Sequence, residues 1–174
     1  MTTNDERRTT NNARSSARGF TLLFASLVAS LLLAVGITIF DITLKEIILA
    51  SAARDSTYAI YTADTGIECA FYWDFKNGGA SGSAFATSSA SSQAATITCN
   101  NQTINLTAAP NSVVKTSSAA TTTFSLTMTP KSYCATVTVA KWGNPTNTTI
   151  VSHGYNTCDV NDPHRIERAL QANY

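Results

Sequence analysis

An uncharged apolar run near the amino terminus constrains this chain more than any other feature. From Phe20 to Phe40 there is no Asp, Glu, Lys or Arg, and a helix of about 20 residues is what the hydrocarbon core of a bilayer requires. The preceding residues 1–19 are polar and hold four arginines against two acidic residues. Because basic residues beside an apolar span stay on the cytoplasmic side, the run predicts a single-pass anchor with a cytoplasmic amino terminus.

A secretory signal peptide is the first alternative for such a run. Its apolar core has roughly 7 to 15 residues and is followed by a cleavage site of small residues. The run in this chain is longer, and its best small-x-small triplet, Ala34-Val35-Gly36, lies inside it. The sequence therefore favours an anchor over a secretory signal.

The junction between the basic leader and the apolar run, Arg18-Gly19-Phe20-Thr21-Leu22-Leu23, resembles the class III signal of type IV pilins and pseudopilins. In that family a prepilin peptidase cuts after the Gly and methylates the new terminal amine. The resemblance implies cleavage between Gly19 and Phe20 and N-methylation of Phe20. The family usually has Glu at the fifth mature position, where this chain has Phe24, which implies altered docking between subunits. An ordinary signal-anchored protein with a chance Gly-Phe pair is the alternative.

Charge and length bound the rest of the chain. Without residues 1–19 the chain has 155 residues, enough for the apolar span and one modest domain. The leader holds four of the 12 Lys and Arg and two of the 11 Asp and Glu, which leaves eight basic and nine acidic residues. A net charge of −1 indicates no clear site for nucleic acid.

The helix is predicted to continue well beyond Phe40, because residues 41–75 contain no Pro and only one Gly. At about 1.5 Å per residue, a helix from Phe20 to Asp74 would be roughly 80 Å long, which matches the spine helix of the pilin family. Apolar residues recur at helical spacing and predict the face that a sheet would cover. That predicted face comprises Ile60, Ala63, Ile67, Ala70 and Phe71, with Thr62, Thr65 and Glu68 opposite.

After Phe75 the composition changes to Asn77-Gly78-Gly79 and then to Ser, Thr and Ala, which ends the helix. Short stretches alternating Thr with Val, Ile or Leu predict an antiparallel sheet with one buried face. The strands predicted at 95–99 and 103–106 are expected to form a hairpin around Asn100-Asn101. Residues 165–170 are expected to form a last strand in preference to a short helix. The other predicted strands lie at 95–99, 103–106, 123–128, 135–139 and 149–152.

Four cysteines, Cys69, Cys99, Cys134 and Cys158, all follow the anchor. An even number in an extracytoplasmic domain predicts two disulfides, with three possible connectivities. If strands 134–142 and 149–157 form a hairpin centred on Thr146, Cys134 lies opposite Cys158. That register favours Cys134 with Cys158 and leaves Cys69 to join Cys99.

Catalytic and metal-binding patterns are weak. The chain has two histidines, His153 and His164, and the sequence around Ser152, His153 and Asp159 has no motif that would make it a catalytic triad. Residues 159–162 offer acidic oxygens but lack the spacing and the Gly of a calcium loop. We therefore expect a non-enzymatic protein with no cofactor and no metal.

The sequence predicts an α+β fold, and the resemblance identifies its plan as pilin-like, with a long spine helix packed on a small antiparallel sheet. The predicted parts are a cleaved leader at 1–19, a transmembrane half-helix at 20–40, an amphipathic half-helix at 41–75 and a disulfide-linked sheet domain at 76–174. The resemblance implies a minor filament subunit, at the tip or in the priming complex.

The partners that the resemblance implies are other pilin-like subunits, the prepilin peptidase and the membrane. The expected location is the inner or cytoplasmic membrane before assembly and a surface filament afterwards. Two other classes remain open, namely an anchored adhesive domain that never enters a filament and an anchored extracytoplasmic enzyme.

Overall fold

The computed structural model describes the backbone of residues 6–76, 82–129, 132–144 and 146–174, and it describes side chains within these ranges from Gly19 onward. Two compact units divide the chain, Met1–Ala50 and Ser51–Tyr174. The described elements are α1 (Glu6–Phe75), β1 (Thr96–Cys99), β2 (Gln102–Asn105), β3 (Ser112–Lys115), β4 (Ala119–Met128), β5 (Tyr133–Trp142), β6 (Asn147–Tyr155) and β7 (Glu167–Asn173).

Helix α1 runs to Phe75 without interruption, so the predicted continuation beyond Phe40 is confirmed. It begins at Glu6, within the basic leader. The predicted helix-ending loop at residues 77–81 lies outside the described residues.

The larger sheet is a five-stranded antiparallel meander with the order β3-β4-β5-β6-β7. Its central strands β4 and β5 pair over ten residues, from Ala119 opposite Trp142 to Met128 opposite Tyr133. Buried and less buried residues alternate along β4, β5 and β6, as a sheet covered on one face requires. The α+β class and the antiparallel arrangement are therefore confirmed, and β7 confirms the last strand.

A separate two-stranded hairpin, β1-β2, turns at Asn100 and Asn101. Both residues have positive φ, 50° and 59°, the left-handed conformation that Asn tolerates and that a two-residue hairpin turn needs. The predicted hairpin is confirmed. Strand β3 was not predicted, because its four residues are mostly exposed and are too few to show an alternating pattern.

The core of the Ser51–Tyr174 unit lies between the second part of α1 and the inner face of the sheet. Fully buried apolar side chains fill it, and the largest are Phe85, Ile97, Leu106, Phe124, Leu126 and Ile150. The helix surface in this core is unusually small in side-chain volume, with Ala59, Ala63, Gly66 and Ala70 all buried.

Close approach explains these small residues. A Cβ added at Gly154 of β6 would overlap the carbonyl oxygen of Ala59 and the amide nitrogen of Ala63. A Cβ at Gly66 would lie 2.8 Å from a methyl group of Val137. The predicted helix face is therefore wrong in part, since Ile60 is 43% exposed and Thr62 is 3% exposed. Side-chain volume, and not hydrophobicity alone, decides which residues fit where the backbones meet.

Both disulfides have the predicted connectivity. Cys69 of α1 joins Cys99 at the end of β1, and Cys134 of β5 joins Cys158, with Cα–Cα distances of 5.8 and 5.1 Å. The register behind the second pairing is wrong, because Cys134 lies opposite Tyr155 and not opposite Cys158.

The hairpin turn explains this error. Asn147 and Thr148 belong to β6, so the turn is shorter than expected and its centre shifts toward the amino terminus. Cys158 lies in the loop that follows β6. Its backbone amide donates a hydrogen bond to the carbonyl oxygen of Ser132 at 3.0 Å. The loop brings the sulfur back to β5, so the disulfide forms although the strands do not place the two cysteines opposite each other.

Candidate processing and assembly segment

The predicted cleavage site, Gly19-Phe20, lies within α1, and the described side chains begin here. Nothing lies within 4 Å of a Cβ placed on Gly19, so the small residue is not required by packing within the chain. Phe20 is 72% exposed. Gly is among the weakest helix formers, so helix propensity does not favour it at this position either. No contact among the described residues requires Gly at position 19.

The apolar run that follows is exposed on all sides. Every residue from Gly19 to Arg54 is exposed, and the run contains 13 Leu, Ile, Val and Phe residues between Phe20 and Phe40. At about −0.3 to −0.6 kcal/mol for each such residue in a membrane helix, they favour insertion by about 4 to 8 kcal/mol. The helix is long and apolar enough to cross a membrane, although a signal sequence near an amino terminus meets the same criterion.

Hydroxyl groups within the run bond to the helix itself. Ser26 donates to the carbonyl oxygen of Leu23 at 2.9 Å, Ser30 to that of Leu27 at 2.8 Å, and Thr38 to that of Val35 at 2.8 Å. In lipid or in a packed apolar core, a hydroxyl without a partner would be unfavourable. Because their hydroxyl groups are already hydrogen-bonded, these three residues can be buried either in lipid or in a packed apolar core.

Phe24 lies one helical turn beyond Phe20, and 60% of its surface is exposed. The two residues are four apart, so their side chains share one face of the helix. No acidic residue follows Gly19 in the chain before Asp41. The helix face that Phe20 and Phe24 share therefore carries no carboxylate in this chain.

The exposed apolar surface does not stop at Phe40. Between and beyond the charged residues Asp41, Lys45 and Glu46, large side chains remain 44% to 73% exposed as far as Leu49. These side chains belong to Ile42, Leu44, Ile47, Ile48 and Leu49. The apolar surface thus covers about ten residues more than one bilayer span needs.

A polar cluster around the buried pair Asp74 and Lys141 in the Ser51–Tyr174 unit was not predicted. The carboxylate of Asp74, at the end of α1, accepts hydrogen bonds from Lys141 Nζ of β5 and from Ser83 Oγ through one oxygen. The Tyr174 hydroxyl donates to its other oxygen at 2.6 Å. Asp74 and Lys141 are each 5% exposed. We name these four residues the polar anchor, because they connect the helix end to β5 and to the end of the chain.

Burial and the neighbouring carboxylate both act on the tyrosine of this cluster. Desolvation is the largest cause and the hydrogen bond to Asp74 the next, and together they raise the pKa of Tyr174 well above its ordinary value. The ring of Tyr174 also lies 4.8 Å from that of Phe75 and 5.6 Å from that of Phe71, measured between centroids. The neutral phenol is thus the form that the fold holds.

Ser152, His153 and Asp159 do not form a catalytic arrangement. Ser152 is fully buried on the helix side of the sheet, while its neighbour in the strand, His153, faces the other way and pairs with Glu167, Nδ1 to Oε1, at 2.6 Å. Asp159 uses its carboxylate to accept the Asn161 amide proton at 2.9 Å. The side chains of Ser152 and His153 thus lie on opposite faces of the sheet.

The loop at residues 159–162 organises its own turns. Asp162 accepts the backbone amide of His164 at 2.8 Å, as Asp159 does for Asn161. Within the described ranges, no group of three or more His, Cys, Asp or Glu side chains is placed to hold a metal ion. The carboxylates in this loop act as local turn acceptors.

Comparison with protein-family models, with curated proteins and with solved structures gives no match to this chain. What stands is an apolar, exposed amino-terminal helix, an antiparallel sheet packed on its second part and two disulfides.

Proposed function

We propose that this protein is a minor structural subunit of a filament of the type IV pilus or pseudopilus kind. In this proposal a prepilin peptidase cuts the chain between Gly19 and Phe20 and methylates the amine of Phe20. The subunit waits in the membrane as a single-span protein and then enters a filament through its apolar helix. The observation that carries the proposal is the exposed apolar surface that follows Arg18-Gly19-Phe20 and continues to Leu49.

The length of that surface favours a filament over a simple anchor. Phe20 to Leu49 is 30 residues, or about 45 Å of helix, whereas the hydrocarbon core is about 30 Å thick. The additional apolar side chains from Ile42 to Leu49 would face water in an isolated anchored protein, and surfaces of that kind usually mark interaction sites. Helices of neighbouring subunits would cover them.

Lipid and a helical filament core are similar solvents for this helix. The surface from Phe20 to Phe40 stays covered in both states, so moving this part of the helix from membrane to filament changes its hydrophobic free energy little. The hydroxyl groups of Ser26, Ser30 and Thr38 carry their hydrogen bonds with them. The free energy of transferring this part of the helix between membrane and filament is therefore small in either direction.

Processing tests this proposal directly. A bulky side chain at position 19 should block the peptidase, so we expect Gly19→Val, expressed with a prepilin peptidase, to keep its leader. Gly36→Val is the matched control, because a Cβ at Gly36 also meets nothing within 4 Å and the position is far from the cut. Mass spectrometry of the amino terminus should find methylated Phe20 in the wild type and in the control.

Two outcomes contradict the proposal. One is a mature chain that begins at Phe20 in Gly19→Val as well as in the wild type. The other is a wild-type chain that stays uncut or is cut after the apolar run, which would indicate an anchored or secreted protein that does not use this pathway.

Phe24 supports a position at the filament end. In the pilin family, the Glu at this position is thought to pair with the terminal amine of a neighbouring subunit, and an unpaired charge in an apolar core is unfavourable. This chain lacks that carboxylate for another subunit's amine, while its own amine can still use a neighbour's Glu. Because only one side of the subunit loses a partner, a tip or priming position suits it.

Quantitative mass spectrometry of purified filaments would test that position, with labelled peptides from this chain and from the major subunit. A few copies per filament are expected. Near-equal copy numbers along the fibre would rule out the tip assignment and leave Phe24 as a packing residue of an ordinary subunit.

A further inference from the structure

We propose that a cavity between the second part of α1 and the β1-β2 hairpin binds an organic ammonium cation, with the trimethylammonium group as the best-matched form. The cavity has a volume of about 360 Å³, which lies in the range of small-molecule sites. All of its lining residues belong to the Ser51–Tyr174 unit. This inference concerns a different surface from the apolar helix and does not depend on filament assembly.

One face of α1 forms the first wall of the cavity. Thr65, Glu68 and Tyr72 follow one another at spacings of three and four residues, so their side chains lie on the same side of the helix. The opposite wall is the end of β1, where Thr98 and Cys99 line the cavity. The site is thus built from two elements that are separated by a long loop in the sequence.

Two connections hold these walls together. The disulfide between Cys69 and Cys99 joins them directly, with a Cα–Cα distance of 5.8 Å. The indole Nε1 of Trp73 donates a hydrogen bond to the carbonyl oxygen of Thr98 at 3.0 Å. Both connections belong to the fold itself, so little of the binding free energy is needed to organise the walls around a ligand.

Two aromatic rings form a corner of the cavity. The rings of Tyr72 and Trp73 meet edge to face, with centroids 5.7 Å apart and an interplanar angle of 84°. Both residues line the cavity, and Tyr72 is half-exposed. The face of an aromatic ring is electronegative and attracts a cation, most strongly when the ring is an indole. Cages of such rings are a common means by which proteins recognise quaternary ammonium groups.

The charge of the lining has the sign that a cation requires. Glu68 is the acidic residue of the lining, and no Lys or Arg lines the cavity. Among the described residues, the Glu68 carboxylate has no hydrogen-bond or ion-pair partner. Asp64, exposed one helical turn earlier, adds negative charge on the same side of the helix. Lys76, four residues beyond Tyr72, does not line the cavity.

These features select the class of ligand. An anion would be repelled by Glu68 and would find no basic partner in the lining. A metal ion usually needs several acidic, thiolate or imidazole ligands, and within the described ranges no group of three or more such side chains could hold one. A trimethylammonium group has no N–H to satisfy, so contact with the rings and attraction to Glu68 are sufficient to bind it.

The test uses the full-length protein labelled with 5-fluorotryptophan, in micelles of an uncharged detergent. Trp73 and Trp142 are the only tryptophans, so the fluorine NMR spectrum has one signal from the cavity and one from outside it, which serves as an internal control. We expect choline chloride to shift the Trp73 signal saturably, with a dissociation constant of about 1 to 10 mM, and to leave the Trp142 signal in place. The uncharged isostere 3,3-dimethylbutan-1-ol should bind about tenfold more weakly or worse, because it lacks the cation.

Two matched pairs of variants separate the cavity from the rest of the helix surface. Glu68→Gln and Tyr72→Ala should each weaken choline binding by about fivefold or more. Their controls are Asp64→Asn and Tyr61→Ala, which change an exposed carboxylate and an exposed ring outside the cavity and should bind within about twofold of the wild type. Tyr72→Phe keeps the ring and should bind like the wild type. Should Tyr72→Ala fail to form both disulfides, Glu68→Gln and its control decide the test.

Phosphocholine distinguishes the sources from which such a cation could come. Binding as tight as that of choline would indicate a headgroup carried by a lipid or a polymer. Weaker binding would indicate a free cation or a methylated side chain, because the phosphate has no basic partner in the lining. Either result supports the ammonium site.

The proposal is overturned by any of three results. These are no saturable shift of the Trp73 signal up to about 100 mM choline, equal binding of choline and its uncharged isostere, and a folded cavity variant that binds choline as tightly as its control. Because cleavage at Gly19 is measured in a separate experiment, a negative result here would leave the proposed processing unaffected, and the reverse is equally true.

Discussion

Removing the lysine of the polar anchor should strongly destabilise the sheet-bearing unit. Lys141→Met keeps the length of the side chain but leaves the Asp74 carboxylate buried without a cation. Breaking one partner of a buried ion pair typically costs about 3 to 5 kcal/mol, because the remaining charge is uncompensated. A domain of ordinary stability has about 5 to 15 kcal/mol in total, so this single change would remove a large share.

A double variant separates the charge from the packing. Asp74→Asn in addition to Lys141→Met makes the site neutral and still offers one acceptor oxygen, to either Ser83 or Tyr174. Replacing a whole buried ion pair is often close to neutral. One of the two hydroxyls, which bond different oxygens of Asp74, would then accept a hydrogen bond from the Asn amide NH2 group instead of donating one. The double variant should therefore regain most of the stability that Lys141→Met loses, which is the signature of coupled residues in a double-mutant cycle.

Guanidinium unfolding of the full chain in detergent micelles, with the disulfides intact, measures these changes. Trp73 and Trp142 are the only tryptophans and both lie in the Ser51–Tyr174 unit, so their fluorescence reports that unit and not the apolar helix. Lys115→Met, at an exposed lysine that donates to the Ser91 carbonyl oxygen, is the control and should cost less than about 1 kcal/mol. The reasoning is refuted if Lys141→Met resembles this control, or if the double variant is no more stable than Lys141→Met.

Three further substitutions test the packing of the helix on the sheet and the role of Tyr174 in the polar anchor. Gly154→Ala should destabilise the unit by about 3 kcal/mol or more, because its Cβ meets helix backbone that cannot rotate away, while Gly36→Ala, which meets nothing, should leave its stability unchanged; thermal unfolding compares them. Ser152→Ala should be neutral or stabilising, since the Ser152 hydroxyl is buried without a partner in the described residues; a loss above about 1 kcal/mol in the same assay would reveal a missed partner. The raised pKa of Tyr174 means that the folded state holds this proton more tightly. The stability that the protonated Tyr174 side chain gives the folded state is fully present below about pH 10, the pKa of tyrosine in the unfolded chain. This stability is lost as the pH rises through the higher pKa that Tyr174 has in the folded state. Tyr174→Phe should therefore show a smaller fall in unfolding midpoint between pH 8 and pH 11 than the wild type, and equal falls would contradict this role.

Periodicity predicted most of the elements, because the strongest signals in this chain are local. The helix to Phe75 follows from a long stretch without Pro, and β4, β5 and β6 follow from alternating residues that reflect one covered face. The Asn100-Asn101 turn is also a local signal, since the backbone conformation depends on these two residues. Strand register is different in kind. It depends on where a turn begins, and two residues assigned to the wrong side of the turn moved Cys158 away from the partner position of Cys134.

The helix face and the polar anchor show why the remaining features could not be read from the sequence. Ile60 is the more hydrophobic residue, but Gly154 brings the strand so close that only residues such as Ala59 and Ala63 fit, and the sequence gives no distance between backbones. Asp74 lies 67 residues from Lys141 and 100 from Tyr174, and each alone resembles an ordinary surface residue. Tyr174 joins the buried pair Asp74 and Lys141 only because the meander returns β5 and the end of β7 to the same end of α1. The Thr-rich strands resemble one another locally, so their sequences alone specify the strand order weakly. A misplaced strand would leave the charge of Asp74 or Lys141 buried without its partner, so the polar anchor makes wrong strand orders less stable.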